Sequence, residues 1–92
     1  MTPLRVECRR VEAGWSCGVT VGDDPRATEH EVTVTDDVLA RLAPADAEPS
    51  RLVRASFEFL LAREPRESIL RSFDVTVIGR YFPEWEAEIR RH

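Results

Sequence analysis

Along this chain apolar residues alternate with polar ones near the N-terminus and recur at helical spacing from the middle onward. Leu4, Val6 and Cys8 alternate with Arg5, Glu7 and Arg9, and Trp15, Cys17, Val19 and Val21 alternate with Ser16, Gly18 and Thr20. Period two of this kind marks strands with one buried face. Glu12-Ala13-Gly14 joins them as a turn. After the turn-rich stretch Gly22-Asp23-Asp24-Pro25-Arg26-Ala27, Thr28, His30, Val32 and Val34 fall on one side of a third strand. The expectation is a three-stranded antiparallel β-meander. A one-residue slip in such a ladder turns a whole apolar set to the other face. Only pairings that set Cys8 opposite Cys17 or opposite Val19 keep both sets together, and either brings the two thiols close.

Thr35 stands where an N-cap belongs, and Asp36 and Asp37 follow in a first turn whose dipole favours acid. A short helix through Val38-Leu39-Ala40-Arg41-Leu42 is expected, stopped by Pro44. Ala43-Pro44-Ala45-Asp46-Ala47-Glu48 reads as a loop too short to separate domains. It leads into the most apolar window, Ser50 to Glu64. There Val53, Phe57, Leu60 and Leu61 share one side, Leu52, Ser56 and Phe59 widen it, and Arg51, Arg54 and Glu58 stay outside. Pro49 suits a first helical position and Pro65 cannot extend a helix, so both ends are marked. This helix is the expected spine of the core, with contacts on more than one side.

Residues 63–73 read as a turn and a second helix with Ile69, Leu70 and Phe73 inward. Over 74–82, Val-Thr-Val-Ile favours strand, whereas the spacing of Val75, Ile78 and Phe82 favours helix. The spacing is preferred, with Asp74 as cap and Pro83 as stop. Glu84 to His92, acidic then basic, suits a terminal helix docked by Trp85 and Ile89. The fold class is therefore α+β, a three-stranded antiparallel meander followed by a helical C-terminal half of three to four short helices, in a single domain over residues 1–92.

Composition narrows the function classes. Hydrophobic residues make up 42% of the chain and charged ones 33%, the range of folded globular proteins. A net charge of −4 supplies no global field for a nucleic-acid backbone. All 13 basic residues are Arg, and Lys, Asn and Gln are absent. GC-rich coding accounts for that bias better than heat adaptation, which enriches Lys together with Glu. Met1-Thr2-Pro3-Leu4-Arg5 lacks the basic start and apolar run of a signal peptide, and no window reaches the ~18 apolar residues of a membrane span. The expected compartment is the bacterial cytoplasm, where the two cysteines are expected to be reduced.

No nucleotide, metal or catalytic motif is present. Cys8, Cys17 and His30 share a sheet face, either as a redox pair or zinc ligands, or as two small apolar residues and a histidine hydrogen-bonded at the rim. Structural zinc takes four ligands and the rest of the chain offers no second half-site, so packing is the preferred role and no cofactor is expected. Arg80, Tyr81, Phe82 and Trp85 place three aromatics and an arginine within a short span. That is the composition of a partner-binding anchor. The competing role for Phe82 and Trp85 is to pack the last helix onto the sheet.

Ser56-Phe57-Glu58-Phe59-Leu60-Leu61 with Arg63-Glu64-Pro65, then Glu67-Ser68-Ile69-Leu70, then Ile78-Gly79-Arg80-Tyr81-Phe82-Pro83-Glu84, resemble the C-terminal half of a small, uncharacterised bacterial protein family. The match spans roughly residues 50 to 89. The resemblance implies the helices and carries no catalytic or binding residue.

An enzyme needs a nucleophile, a general base or a metal set, and His30 and His92 are the only histidines, while the carboxylates read as solvated helix faces. Arg63, Arg66, Arg71 and Arg80, on two short helices after a turn, superficially resemble a helix-turn-helix, with acidic neighbours set against it. The expectation is a small cytoplasmic, non-enzymatic protein-binding or regulatory module whose partner is another protein or a second copy in a homo-oligomer. The alternatives are a nucleic-acid-binding or antitoxin-like regulator, and a small enzyme or metal-binding protein using Cys8, Cys17 and His30.

Overall fold

Period-two patterning produces the expected strands in the computed structural model, which describes residues 3–43 and 48–90. Strands β1 (Leu4–Val11), β2 (Gly14–Val21) and β3 (Thr28–Thr35) form an antiparallel meander. The β1–β2 register sets Val6 opposite Val19 and Cys8 opposite Cys17, and runs without a slip from Leu4 to Val11. Val19, Val21, His30, Val32 and Val34 are buried on the face that the helices cover. Arg5, Glu7, Arg9, Glu29, Glu31 and Thr33, on the other face, are exposed. The turn after β1 puts Ala13 at φ 63°. Gly14 follows because a Cβ there would stand 2.5 Å from the Val34 carbonyl oxygen and 2.9 Å from the Thr35 Cα.

Cys8 and Cys17, expected as free thiols, form a disulfide. The expectation rested on compartment, and the register overrides it. The Gly22 N–H donates to the Pro3 carbonyl at 2.8 Å, so odd-numbered residues of β1 carry the backbone bonds to β2. Cys8 and Cys17 thus oppose each other at a pair without backbone bonds, where side chains come closest, with Cα atoms 4.0 Å apart.

The sheet has four strands rather than the expected three. Strand β4 (Ser72–Asp74) lies parallel to β3, Val32 opposite Phe73, giving the order β1-β2-β3-β4. The Glu31 N–H donates to the Arg71 carbonyl at 2.7 Å, and the Val75 N–H to the Thr33 carbonyl at 3.0 Å. This pairing replaces the helix expected over 66–73. A single 3-10 turn, Arg66–Ser68, leads into extended chain in which Ile69 is buried and Leu70 faces out. A helix there would leave the edge groups of β3 without these partners.

Thr35 caps α1 (Asp36–Leu42) as expected, its hydroxyl accepting from the Val38 N–H at 3.3 Å. Pro44 and the rest of the loop through residue 47 lie outside the described residues. Helix α2 (Pro49–Leu61) is the spine, with Leu52, Val53, Ser56, Phe57 and Leu60 buried. Its contacts run to more than one side. The Phe57 ring lies 5.3 Å from that of His30 and 6.2 Å from that of Phe73 on the sheet, while Ser56 faces the last helix. Asp74 ends β4, and its carboxylate accepts from the Thr76 N–H at 2.9 Å and the Thr76 hydroxyl at 2.6 Å. Helical spacing then holds only over α3 (Val77–Tyr81), a shorter element than residues 74–82. Helix α4 (Trp85–Arg90) follows, docked by Trp85 and Ile89 as expected, and Arg91 and His92 lie outside the described residues. Among the described residues no helix is long and apolar enough to cross a membrane.

Candidate functional site

The end of α2, the extended chain before β4, and α3 enclose an apolar groove of about 410 Å³. Leu60, Ile69, Phe73 and Ile78 line it from the core side. Leu70 and Tyr81 border it while remaining 50% and 70% exposed. Glu64 supplies a polar wall. The groove exists because residues 69–73 run extended: a helix there would have turned Leu70 inward.

The cluster Arg80, Tyr81, Phe82, Trp85 does not share one surface. Tyr81 and Phe82 line the groove and Arg80 is exposed beside them. Phe82 meets Phe59 edge-on at 5.7 Å, and the Arg63 guanidinium lies over Phe59, 3.6 Å from the ring centre. Trp85 is only 1% exposed, and its indole N–H donates to the Ser56 hydroxyl at 3.2 Å. It docks α4 rather than offering an anchor. Leu70 is the groove residue that the helical spacing hides. No local pattern exposes it, since Ile69-Leu70-Arg71-Ser72 does not alternate.

Cys8, Cys17 and His30 lie on the core face but do not converge. The cysteines are joined to each other, and both ring nitrogens of His30 are engaged. The Leu70 carbonyl, 2.8 Å from Nδ1, can only accept, so Nδ1 carries the proton. Nε2 then accepts from the Thr28 hydroxyl at 2.9 Å. His30 thereby ties the groove rim to β3. Among the described residues, no three His, Cys, Asp or Glu side chains are grouped so as to hold a metal ion.

The open sheet face carries a second hollow of about 500 Å³ above Gly18, lined by Arg5, Glu7, Glu29, Glu31 and Arg71. Its charges are mixed. The Glu31 carboxylate is held below the ordinary glutamate range, first by the Ser16 hydroxyl and then by Arg9.

Of the arginines assigned to a helix-turn-helix, Arg63 pairs with Glu84 at 3.5 Å. Arg66 reaches Asp24 at 3.3 Å and the Val21 carbonyl at 3.4 Å. Where the first of that motif's two short helices is expected, over 66–73, the chain forms the 3-10 turn and runs into β4. Comparisons with protein-family models, curated proteins and solved structures each return no match.

Proposed function

We propose that this chain is a non-enzymatic protein-binding module, regulatory in role, whose partner enters the groove between α2 and α3. The observation that carries this reading is the joint exposure of Leu70 and Tyr81 at the mouth of a groove lined by core residues. Large apolar side chains left in water beside an apolar concavity mark interaction sites. A rigid aromatic with a polar tip is a common anchor of binding energy. Glu64 sets a charge against the apolar lining, which favours an amphipathic segment that inserts apolar side chains and leaves its polar flank outside.

The non-enzymatic part rests on His30, whose ring nitrogens are both occupied by partners within the fold. The same reading disfavours nucleic acid, because Arg63 and Arg66 are committed to Glu84, Asp24 and backbone oxygen.

Titrating the wild type, Tyr81→Ala and Leu70→Ser against a partner recovered by affinity capture and identified tests the proposal. Both variants should melt as the wild type does and bind more weakly by ~1–3 kcal/mol, the effect of truncating an anchor. Equal affinity for all three proteins would remove the groove as the binding surface.

A further inference from the structure

Strand β1 ends the sheet on its outer side. The bond from Gly22 N–H to the Pro3 carbonyl, with the register that follows it, assigns odd-numbered residues of β1 to β2. The N–H and C=O groups of Leu4, Val6 and Cys8 therefore point away from the sheet. No bulge interrupts β1, and no proline lies between Leu4 and Val11. Such an edge is a template for another strand.

Side chains on this strand are unevenly covered. Val21, Val19 and Cys17 on β2 are at most 2% exposed, whereas their partners Leu4, Val6 and Cys8 are only half-buried. On the opposite face Arg5 and Glu7 are exposed and form no side-chain hydrogen bond or ion pair among the described residues. Arg10 bounds the free segment: it holds Asp36 and lies 5.5 Å over the Trp15 ring.

We propose that β1 pairs antiparallel with β1 of a second copy of this chain, with Val6 opposite Val6, joining two four-stranded sheets edge to edge. The register follows from the residues. With Val6 opposite Val6, Leu4 faces Cys8 of the second copy, so half-buried apolar side chains meet on the helix side. Arg5 faces Glu7 on the open side, twice by symmetry, at pairs without backbone bonds where side chains are closest. Moving the axis by one residue to Glu7 sets Glu7 against Glu7 and Arg5 against Arg9. Moving it to Cys8 sets Val6 against Arg10, whose guanidinium is already committed. A one-residue slip of one strand alone sets core-facing side chains against open-face ones. This surface is separate from the groove, and neither proposal depends on the other.

Sedimentation equilibrium of the full chain over a wide concentration range tests it, using Arg5→Glu, Glu7→Arg and the double variant. Each residue is exposed, so the fold should persist, as circular dichroism can verify. The wild type should dimerise. Each single reversal sets like charges opposite each other twice and should raise the dissociation constant on the order of tenfold or more. The double variant restores opposite charges and should recover the dimer. A wild type that stays monomeric, single variants that dimerise as well as it does, or a double variant no better than the singles would each overturn the proposal. Rescue by Glu7→Arg with Arg9→Glu in place of Arg5→Glu would overturn the register centred on Val6.

Discussion

The indole N–H of Trp85 donates to the hydroxyl of Ser56 at 3.2 Å, and that hydroxyl donates in turn to the Leu52 carbonyl at 2.8 Å. Both side chains are almost completely buried, so the bond joins α4 to the spine helix where no water can replace it. Removing the hydroxyl leaves an indole N–H without a partner, a loss of about 1–3 kcal/mol. Ser56→Ala should therefore lower stability by that amount in denaturant titration. Trp85→Phe deletes the donor but also removes ring volume. Added to Ser56→Ala, it should cost less than the two single effects combined, because the unpaired donor is gone. Strict additivity would mean that the hydrogen bond contributes nothing.

The disulfide closes a loop with a sequence separation of 9 between Cys8 and Cys17. In the chain-entropy account, a loop of this size stabilises by about 2–3 kcal/mol. Thermal melts with and without reductant should differ accordingly, and Cys8→Ser with Cys17→Ser should behave like the reduced wild type. Two titratable thiols in the non-reduced, denatured protein would contradict the bond.

These residues also show what a reader of the sequence can extract. Val53, Phe57 and Leu60 announce α2 because their spacing is long, regular and bounded by Pro49 and Pro65. Thr35 and Asp36 announce α1 through local capping chemistry. Facing alone leaves two registers for β1 on β2, and Cys8 opposite Cys17 is one of them. Strand β4 gives no such sign. Its three residues, Ser72, Phe73 and Asp74, have no strand propensity as a set, and what holds them is the edge of β3, remote in sequence. The same edge pulls Leu70 outward and so builds the groove, whereas Tyr81 was legible from composition. Trp85 is legible in two roles, as an anchor and as the residue that docks the last helix, and its burial decides for the second, while its partner Ser56 carries no mark in the sequence beyond its place on the α2 stripe.

The β1–β2 turn places an ordinary L-residue in left-handed conformation at Ala13, φ 63°. Glycine removes the clash of Cβ with the carbonyl, though it loses more backbone entropy on folding. Ala13→Gly should stabilise by up to about 1 kcal/mol, the difference between those effects. Gly14→Ala should do the opposite, since its Cβ would press on the backbone of Val34 and Thr35, which have no room to yield. Chemical denaturation of both variants reads the two signs. A stabilising Gly14→Ala would mean that β3 does not pass so close.

Acid should weaken the fold through two surface carboxylates. Asp36 is held below its ordinary value of 3.8 by its hydrogen bonds from Arg10 and then by that residue's charge. Glu31 is held below 4.5 by the Ser16 hydroxyl first and Arg9 second. A carboxylate whose folded value is depressed binds fewer protons in the folded state than in the unfolded one. Its stabilisation is therefore complete above the ordinary value and is lost as pH falls through the folded one. Melting temperature should decline below about pH 4.5, with the Asp36 contribution fading at lower pH than that of Glu31 begins to fade. Both groups lie at the surface, so added salt should shrink the Arg10–Asp36 share. The Ser16–Glu31 share, a hydrogen bond from a neutral hydroxyl, should survive it. Melts of the wild type, Asp36→Asn, Glu31→Gln and the double variant at neutral and acid pH, each in low and high salt, separate the two. A wild-type acid slope no steeper than that of the double variant would show that neither carboxylate is coupled to folding.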